Sequence, residues 1–138
     1  MAQKDLYSSI THKLAILATL SGTTPGTALE IDTKGYESVT FNVFTGTITD
    51  AGSAAGIVWE LQHSDTSGSG YAAVADDYLL GLETDLTITS DASDNVYIGK
   101  LGYVGKKRYL KLIPTGSTNT DGTVCATCTL GHAINNPV

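Results

Sequence analysis

Short runs of alternating apolar and polar residues, separated by glycine-rich turns, dominate this chain. Between Gly35 and Gly46, the apolar residues Val39, Phe41 and Val43 stand at every second position. A period of two places these side chains on one face of an extended chain, so it predicts a strand with one buried face. Glycine and threonine recur too often for the runs of good helix formers that helices need. The pattern therefore favours an all-β fold.

The same pattern recurs along the rest of the chain. In segment 57–63, Ile57, Trp59 and Leu61 share one face, which predicts that Trp59 belongs to the core. Further strands are predicted at 71–74, 86–88, 95–98, 108–113 and 123–130. Turns rich in glycine, serine and aspartate separate them. Seven or eight short strands with no long helix indicate an antiparallel β-sandwich or jelly roll.

Residues 1–28 are predicted to form an N-terminal arm or a first strand, ahead of a single β-sandwich domain at residues 29–138. Leucine and isoleucine recur at helical spacing in the first of these segments. Its serine and threonine content, and the Pro25-Gly26 turn, favour an extended structure instead. The apolar run 14–20 is too short to span a bilayer, so no membrane segment is expected.

Charge is distributed unevenly along the chain. The formal net charge is −6, which argues against nonspecific nucleic-acid binding, because contacts to phosphate need clustered lysine and arginine. Nine carboxylates and no lysine or arginine lie between residues 50 and 94, whereas five basic residues and no acidic one lie between 95 and 114. Two interpretations stay open. Both segments are solvated faces, or they form a self-complementary surface through which copies dock.

The two cysteines, Cys125 and Cys128, form a C-x-x-C sequence within a β-prone stretch. A redox C-x-x-C opens a helix in a thioredoxin-like βαβ unit, and no such unit is predicted here. Side chains at i and i+3 of a strand point to opposite faces, so the two sulfurs cannot readily bond. We predict two buried or half-buried free thiols. No zinc site is expected, because His132 alone cannot complete one.

The remaining polar residues form no recognisable catalytic or metal-binding motif. Segment 65–76 has part of a calcium-loop spacing but lacks carboxylates at the third and fifth positions and a closing Glu. The adjacent Asp76 and Asp77 are more typical of a turn than of two acids facing across a cleft. The histidines are scattered, and no Ser or Cys occupies a nucleophile elbow. We predict no enzymatic activity, no metal and no cofactor.

Four blocks of the sequence carry a resemblance to a known family. They are LGYVGKKRYLKLI (101–113), DTKGYESVTFNV (32–43), WELQHSD (59–65) and VADDYLLG (74–81). On these blocks the chain resembles small structural proteins of tailed bacteriophages that are encoded beside the major capsid protein. The resemblance implies a non-enzymatic virion protein that binds the outer surface of the phage capsid and stabilises it, as a cement or decoration protein.

The resemblance also implies partners and a location. It implies the major capsid protein as partner, a homo-oligomer (dimer or trimer), a position on the capsid surface of the virion, and synthesis in the host bacterial cytoplasm. Neither nucleic acid nor a membrane is expected as a partner. Two alternatives stay open: a structural protein of the phage tail or neck, and a carbohydrate-binding β-sandwich module whose exposed tyrosines stack on sugar rings.

Interface residues are predicted from exposure and chemistry. Block 101–113 reads as a glycine-bounded turn leading into a strand, and it combines positive charge with an aromatic ring. The first candidates for contact are Lys106, Lys107, Arg108 and Tyr109. The second candidates, in the N-terminal segment, are Leu6, Tyr7 and Ile10.

Overall fold

In the computed structural model, which describes residues 6–134, two antiparallel β-sheets pack face to face. Nine strands form them: β1 (Ile10–Ser21), β2 (Ile31–Asp32), β3 (Tyr36–Asp50), β4 (Val58–Ser64), β5 (Ala72–Ala73), β6 (Leu79–Leu80), β7 (Tyr97–Tyr103), β8 (Tyr109–Thr115) and β9 (Asp121–Ala133). Two 3₁₀ turns, Asp76–Tyr78 and Glu83–Leu86, lie between β5 and β7. The prediction of an all-β antiparallel sandwich is confirmed.

The order of strands places β9 inside the larger sheet, with a neighbour on each side. That sheet has the order β1-β9-β3-β7-β6, and the smaller sheet has the order β2-β8-β4-β5. β9 therefore lies between β1 and β3, and Ile10 at the start of β1 is opposite Gly131 near the end of β9. The larger sheet thus depends on pairing between segments that are far apart in sequence.

The core lies between the two sheets and is built from the alternating residues that the sequence pattern predicts. In β9, Val124, Ala126, Cys128 and Leu130 are fully buried, while the residues between them point outward. Trp59 is 3% exposed, so the prediction that it belongs to the core is confirmed. Each large apolar side chain buried in this way contributes about 1.5–3 kcal/mol to folding.

The N-terminal segment is a strand, and not a free arm, over the residues that form β1. Ile10–Ser21 pairs with β9 along one edge of the larger sheet. A β-bulge in the middle of β1 shifts its register, and Ala15 and Ile16 beside the bulge are buried in the core. Of the two alternatives for residues 1–28, the strand is therefore the one that this part adopts. Residues 1–5 lie outside the described residues.

Strand lengths differ from the predicted set of short strands. β1, β3 and β9 contain 12, 15 and 13 residues, whereas β2, β5 and β6 contain two each. β3 continues past Gly46, the residue predicted to end it, as far as Asp50. Register shifts after Thr45 and Ile48 absorb extra residues on the β3 side, so pairing with β9 resumes beyond each one.

Segment 86–88 is not the strand that the sequence predicts. Leu86 ends a 3₁₀ turn, and only Ile88 pairs, in an isolated bridge with Ile57. The Asp85 carboxylate accepts a hydrogen bond from the backbone N–H of Leu82 at 3.2 Å. Local side-chain-to-backbone bonds of this kind favour a turn over a sheet. Leu86 and Ile88 are nevertheless buried, so their apolar character reflects the core.

Block 101–113 contains the end of β7 and most of β8. Residues 101–103 belong to β7 and pair with β3, so the prediction of a turn there is wrong. Gly102 fits within a strand because Leu80 of β6 packs against it: a Cβ at position 102 would lie 2.9 Å from the Leu80 Cβ. The turn is formed by residues 104–108, and β8 begins at Tyr109.

Candidate interaction surfaces

The turn at 104–108 is fixed in place by the buried side chain of Tyr103. The backbone N–H of Lys107 donates a hydrogen bond to the Tyr103 hydroxyl at 3.1 Å. That hydroxyl also bonds His63 Nδ1 at 2.9 Å, and the two rings meet edge to face. Gly105 passes so close above the Tyr103 ring that a Cβ there would collide with it. The basic turn is therefore held by the sandwich beneath it.

His63 supports this turn as a neutral ring. Burial, and after it the positive charge of Lys107, lower the pKa of His63 below its ordinary value of 6.5. A neutral imidazole has an unprotonated nitrogen that can accept a hydrogen bond from the Tyr103 hydroxyl. His63 lies within β4, so this hydrogen bond links the smaller sheet to the residue that holds the turn.

Arg108 is paired within the chain. Its guanidinium donates to both carboxylate oxygens of Asp32, at 2.7 and 2.8 Å, and Asp32 also accepts the backbone N–H of Lys34 at 3.0 Å. The hydrogen bond from Arg108 lowers the pKa of Asp32 to about 2. The same guanidinium lies 4.9 Å from the centroid of the Tyr109 ring. Arg108 is thus held between a carboxylate and an aromatic face.

The neighbouring lysines differ in their contacts. Lys107 Nζ lies 3.5 Å from a carboxylate oxygen of Asp65, and both side chains are well exposed. Lys106 is exposed and forms no ion pair with any residue in the range 6–134. Two of the three predicted basic contact residues therefore already have acidic partners in their own chain. One of the two interpretations of the uneven charge is that copies of the chain dock through these acidic and basic segments. That interpretation does not foresee that Lys107 and Arg108 are paired within their own chain.

A second cation–aromatic contact lies on the same sheet. Lys111 Nζ lies 4.6 Å from the centroid of the Tyr71 ring, and the Tyr71 hydroxyl donates to the Glu30 carboxylate. Glu30 also accepts the Ser67 hydroxyl at 2.6 Å and the backbone N–H of Gly68 at 2.7 Å. These bonds, the one from Ser67 first, lower the pKa of Glu30. Glu30 thus ties down the loop that resembles part of a calcium site.

Together these groups form a basic–aromatic face on the outside of the smaller sheet. We define it as Tyr71, Arg108, Tyr109 and Lys111. Their positions are fixed by Glu30 and Asp32, which lie on the stretch of chain leading into and forming β2. Sequence reasoning identified Arg108 and Tyr109 but missed both carboxylates and Tyr71, because each contacts a partner more than 35 positions away.

The outside of the larger sheet has a different character, and we call it the threonine face. It comprises His12, Leu14, Leu17 and Thr19 of β1; Thr123, Cys125, Thr127 and Thr129 of β9; Ser38, Thr40, Asn42 and Phe44 of β3; and Tyr97 and Lys100 of β7. Its hydroxyls bond to neighbours on the face, as between Thr19 and Thr123 at 3.0 Å. Sequence reasoning did not predict this face.

One row of the threonine face is apolar. The strand register aligns Leu17, Cys125, Phe44 and Tyr97 on four adjacent strands. The Phe44 and Tyr97 rings lie 5.2 Å apart between centroids, and the Tyr97 hydroxyl donates to the Asn42 side chain at 3.2 Å. Alternation within each strand was visible in the sequence, but a row across strands requires the register, which no local pattern gives.

The two cysteines behave as predicted. Both are free thiols: Cys128 points into the core and Cys125 lies half-buried on the threonine face. Burial raises the pKa of Cys128 to about 12 and also raises that of Cys125. Because a thiolate is the nucleophile and the metal ligand, both sulfurs are mainly in the less reactive thiol form at neutral pH.

The second set of predicted contact residues is divided by the structure. Leu6 and Tyr7 precede β1, and their side chains are exposed. Ile10 is half-buried and is the first residue of β1, opposite Gly131. Leu6 and Tyr7 are therefore available for contact, whereas Ile10 is part of the sheet.

Within residues 6–134, the polar side chains do not converge on a metal site. No group of three or more His, Cys, Asp or Glu side chains in that range could hold an ion. Asp76 and Asp77 lie exposed in a 3₁₀ turn, and His12 bonds Thr129 at 3.0 Å on the threonine face. The same part of the chain contains no helix long and apolar enough to cross a bilayer.

No protein-family model matches the chain, and no curated protein matches it significantly.

Proposed function

We propose that this protein is a non-enzymatic virion structural protein that binds the outer surface of a phage capsid and stabilises it. The observation that carries the proposal is the basic–aromatic face, in which Arg108, Tyr109, Lys111 and Tyr71 are held in fixed positions. Tyrosine and arginine are enriched in protein–protein interfaces and among the residues that dominate their binding energy. The face therefore suits a protein partner, which here is the major capsid protein.

The fixed positions of the side chains in this face favour binding. A long side chain costs about 0.5–1.5 kcal/mol when an interface immobilises it. Arg108 is already fixed by Asp32, and Lys111 already lies over Tyr71. Much of this cost is therefore met on folding, before a partner arrives. A capsid lattice adds many equal sites, so even a modest affinity for each one would stabilise the shell by mass action.

The charge arrangement favours a structured partner over a polyanion. Glu30 and Asp32 lie beside the cations of the face and offset their charge. Nonspecific binding to nucleic acid would need a cluster of lysine and arginine side chains that are not paired with carboxylates. The chain also carries a net charge of −6. The face instead presents aromatic rings with fixed donors and acceptors, which suit a complementary protein surface.

The test is co-sedimentation of the purified protein with heads, from the same phage, that lack it. We expect saturable binding at a fixed number of copies per head, and heads that then survive heating better. Tyr109→Ala should weaken binding at least about tenfold if Tyr109 is a central contact. Tyr78→Ala, which removes an exposed tyrosine outside the basic–aromatic face, is the matched control.

Two results would contradict the proposal. The first is an absence of binding to heads together with recovery of the protein in purified tails, which would favour the tail or neck alternative. The second is equal loss of binding in the Tyr109→Ala and Tyr78→Ala variants, which would remove the basic–aromatic face as the contact surface.

A further inference from the structure

We infer that the threonine face is a self-association surface that pairs two copies of this chain into a dimer. The inference concerns the isolated protein, so it stands apart from capsid binding. It is carried by three features of the face: its lack of negative charge, its exposed apolar row and its area.

The first feature is charge. The chain holds 14 acidic residues and a net charge of −6, yet the outward positions of β9 from Thr123 to Thr129, and those beside them on β1, β3 and β7, include no Asp or Glu and one lysine, Lys100. Asp121, at the start of β9, is an exposed carboxylate at one end of this surface. Two copies that approach through acidic surfaces repel each other, and like charges placed opposite each other in an interface cost several kcal/mol. The threonine face is a large surface on which two of these acidic molecules can meet without opposing carboxylates.

The second feature is the apolar row. Leu17 is 63% exposed and Tyr97 is 51% exposed, with Phe44 and Cys125 aligned between them. A contiguous exposed apolar patch with a polar rim marks an interaction site. Covering the row with the same row of a second copy would remove these side chains from water. The surrounding threonines are small enough to allow close approach.

The third feature is area. Four strands about 4.8 Å apart, followed over the eight residue-to-residue steps from Thr123 to Gly131, give a face about 19 Å wide and about 27 Å long. The two faces together then bury on the order of 1,000 Å², the lower limit for a specific interface. A sheet face meets its own copy about a two-fold axis, which makes a closed pair. The geometry therefore favours a dimer over a trimer.

Sedimentation equilibrium of the full chain over a wide range of concentrations tests this directly. We expect a monomer–dimer equilibrium in the wild type. Leu17→Glu places two carboxylates in the contact, one from each copy, so the dissociation constant should rise at least about tenfold. Leu29→Glu is the matched control, because Leu29 is 49% exposed and lies outside the threonine face. It should leave the dissociation constant unchanged.

Salt gives a second readout. Both copies are acidic, so added salt screens their mutual repulsion and should strengthen the dimer or leave it unchanged. An interface built on ion pairs, such as one through the basic–aromatic face, would instead be weakened by salt. Weakening by salt would therefore overturn the assignment to the threonine face.

A third readout requires no substitution, so it holds even if Leu17→Glu fails to fold. Cys125 lies within the apolar row, whereas Cys128 is fully buried and should remain unlabelled in the folded protein. Alkylation of Cys125 at constant pH should slow as protein concentration rises, because the dimer covers it. A wild type that stays monomeric, a trimer, or Cys125 labelling that does not depend on concentration would each overturn the inference.

Discussion

The ion pair between Asp32 and Arg108 joins the basic–aromatic face to β2 through two hydrogen bonds. Two parallel hydrogen bonds join side chains that are 76 positions apart in sequence. This geometry is stronger and more directional than a single contact between exposed charges. Because the carboxylate ends β2 and the guanidinium precedes β8, the pair also links two neighbouring strands of the smaller sheet.

Replacing Asp32 with Asn should destabilise the protein by about 0.5–1 kcal/mol at pH 7, since partial exposure screens the pair. In the folded protein the pKa of Asp32 is about 2, below its ordinary value of 3.8. Its stabilisation is therefore fully present above pH 4 and is lost as pH falls towards 2. Urea unfolding of both proteins at several pH values measures this difference, which should vanish at the acidic end.

Asp65→Asn is the appropriate control for that experiment. Asp65 is 74% exposed and lies 3.5 Å from Lys107, so its loss should change stability by no more than about 0.3 kcal/mol. Equal effects of the two substitutions at pH 7 would show that the bidentate geometry adds nothing to an ordinary surface pair.

At the scale of strands, the sequence pattern predicted which side chains of one strand are buried, and it missed the features that depend on how neighbouring strands are paired. The period of two identified the strands containing Phe41, Trp59 and Cys128 and the face that each one buries, because side-chain direction is set residue by residue. It could not show that bulges carry β3 past Gly46, since a bulge is defined only against a partner strand. For the same reason it predicted Arg108 and Tyr109 as contact residues without Asp32, and missed the threonine face entirely.

The role of β1 gives a prediction at this scale. Ile16 is 1% exposed in the core, so Ile16→Ala should destabilise the protein by about 2–5 kcal/mol through lost burial and a cavity. Chemical denaturation measures the change. A free arm at this position would tolerate the substitution with almost no loss.

Ile134 offers a control of the same chemistry. Its side chain is 66% exposed at the other end of the described chain. Ile134→Ala should therefore change stability by less than about 0.5 kcal/mol. A similar small effect for Ile16→Ala would mean that β1 is not part of the cooperative core.

For the molecule as a whole, the arrangement of strands predicts slow folding. The larger sheet pairs Ile10 with Gly131 and Tyr36 with Ala133, and long-range pairing of this kind puts all-β domains in the range of about milliseconds to seconds. Trp59 is the single tryptophan and is buried, so its fluorescence in stopped-flow refolding reports formation of the core. Complete refolding within microseconds would contradict the predicted dependence on distant pairing.

The position of β9 has a consequence for how each molecule is made. A ribosome synthesises β9 after the other eight strands of the two sheets, yet β9 belongs between β1 and β3, which are synthesised earlier. Until residues 121–133 emerge, those two strands have no common neighbour, and their unpaired edges are open to other chains. A nascent chain interrupted before this point cannot close its larger sheet, because β1 and β3 have no strand between them. The larger sheet can therefore close only after translation has passed through β9.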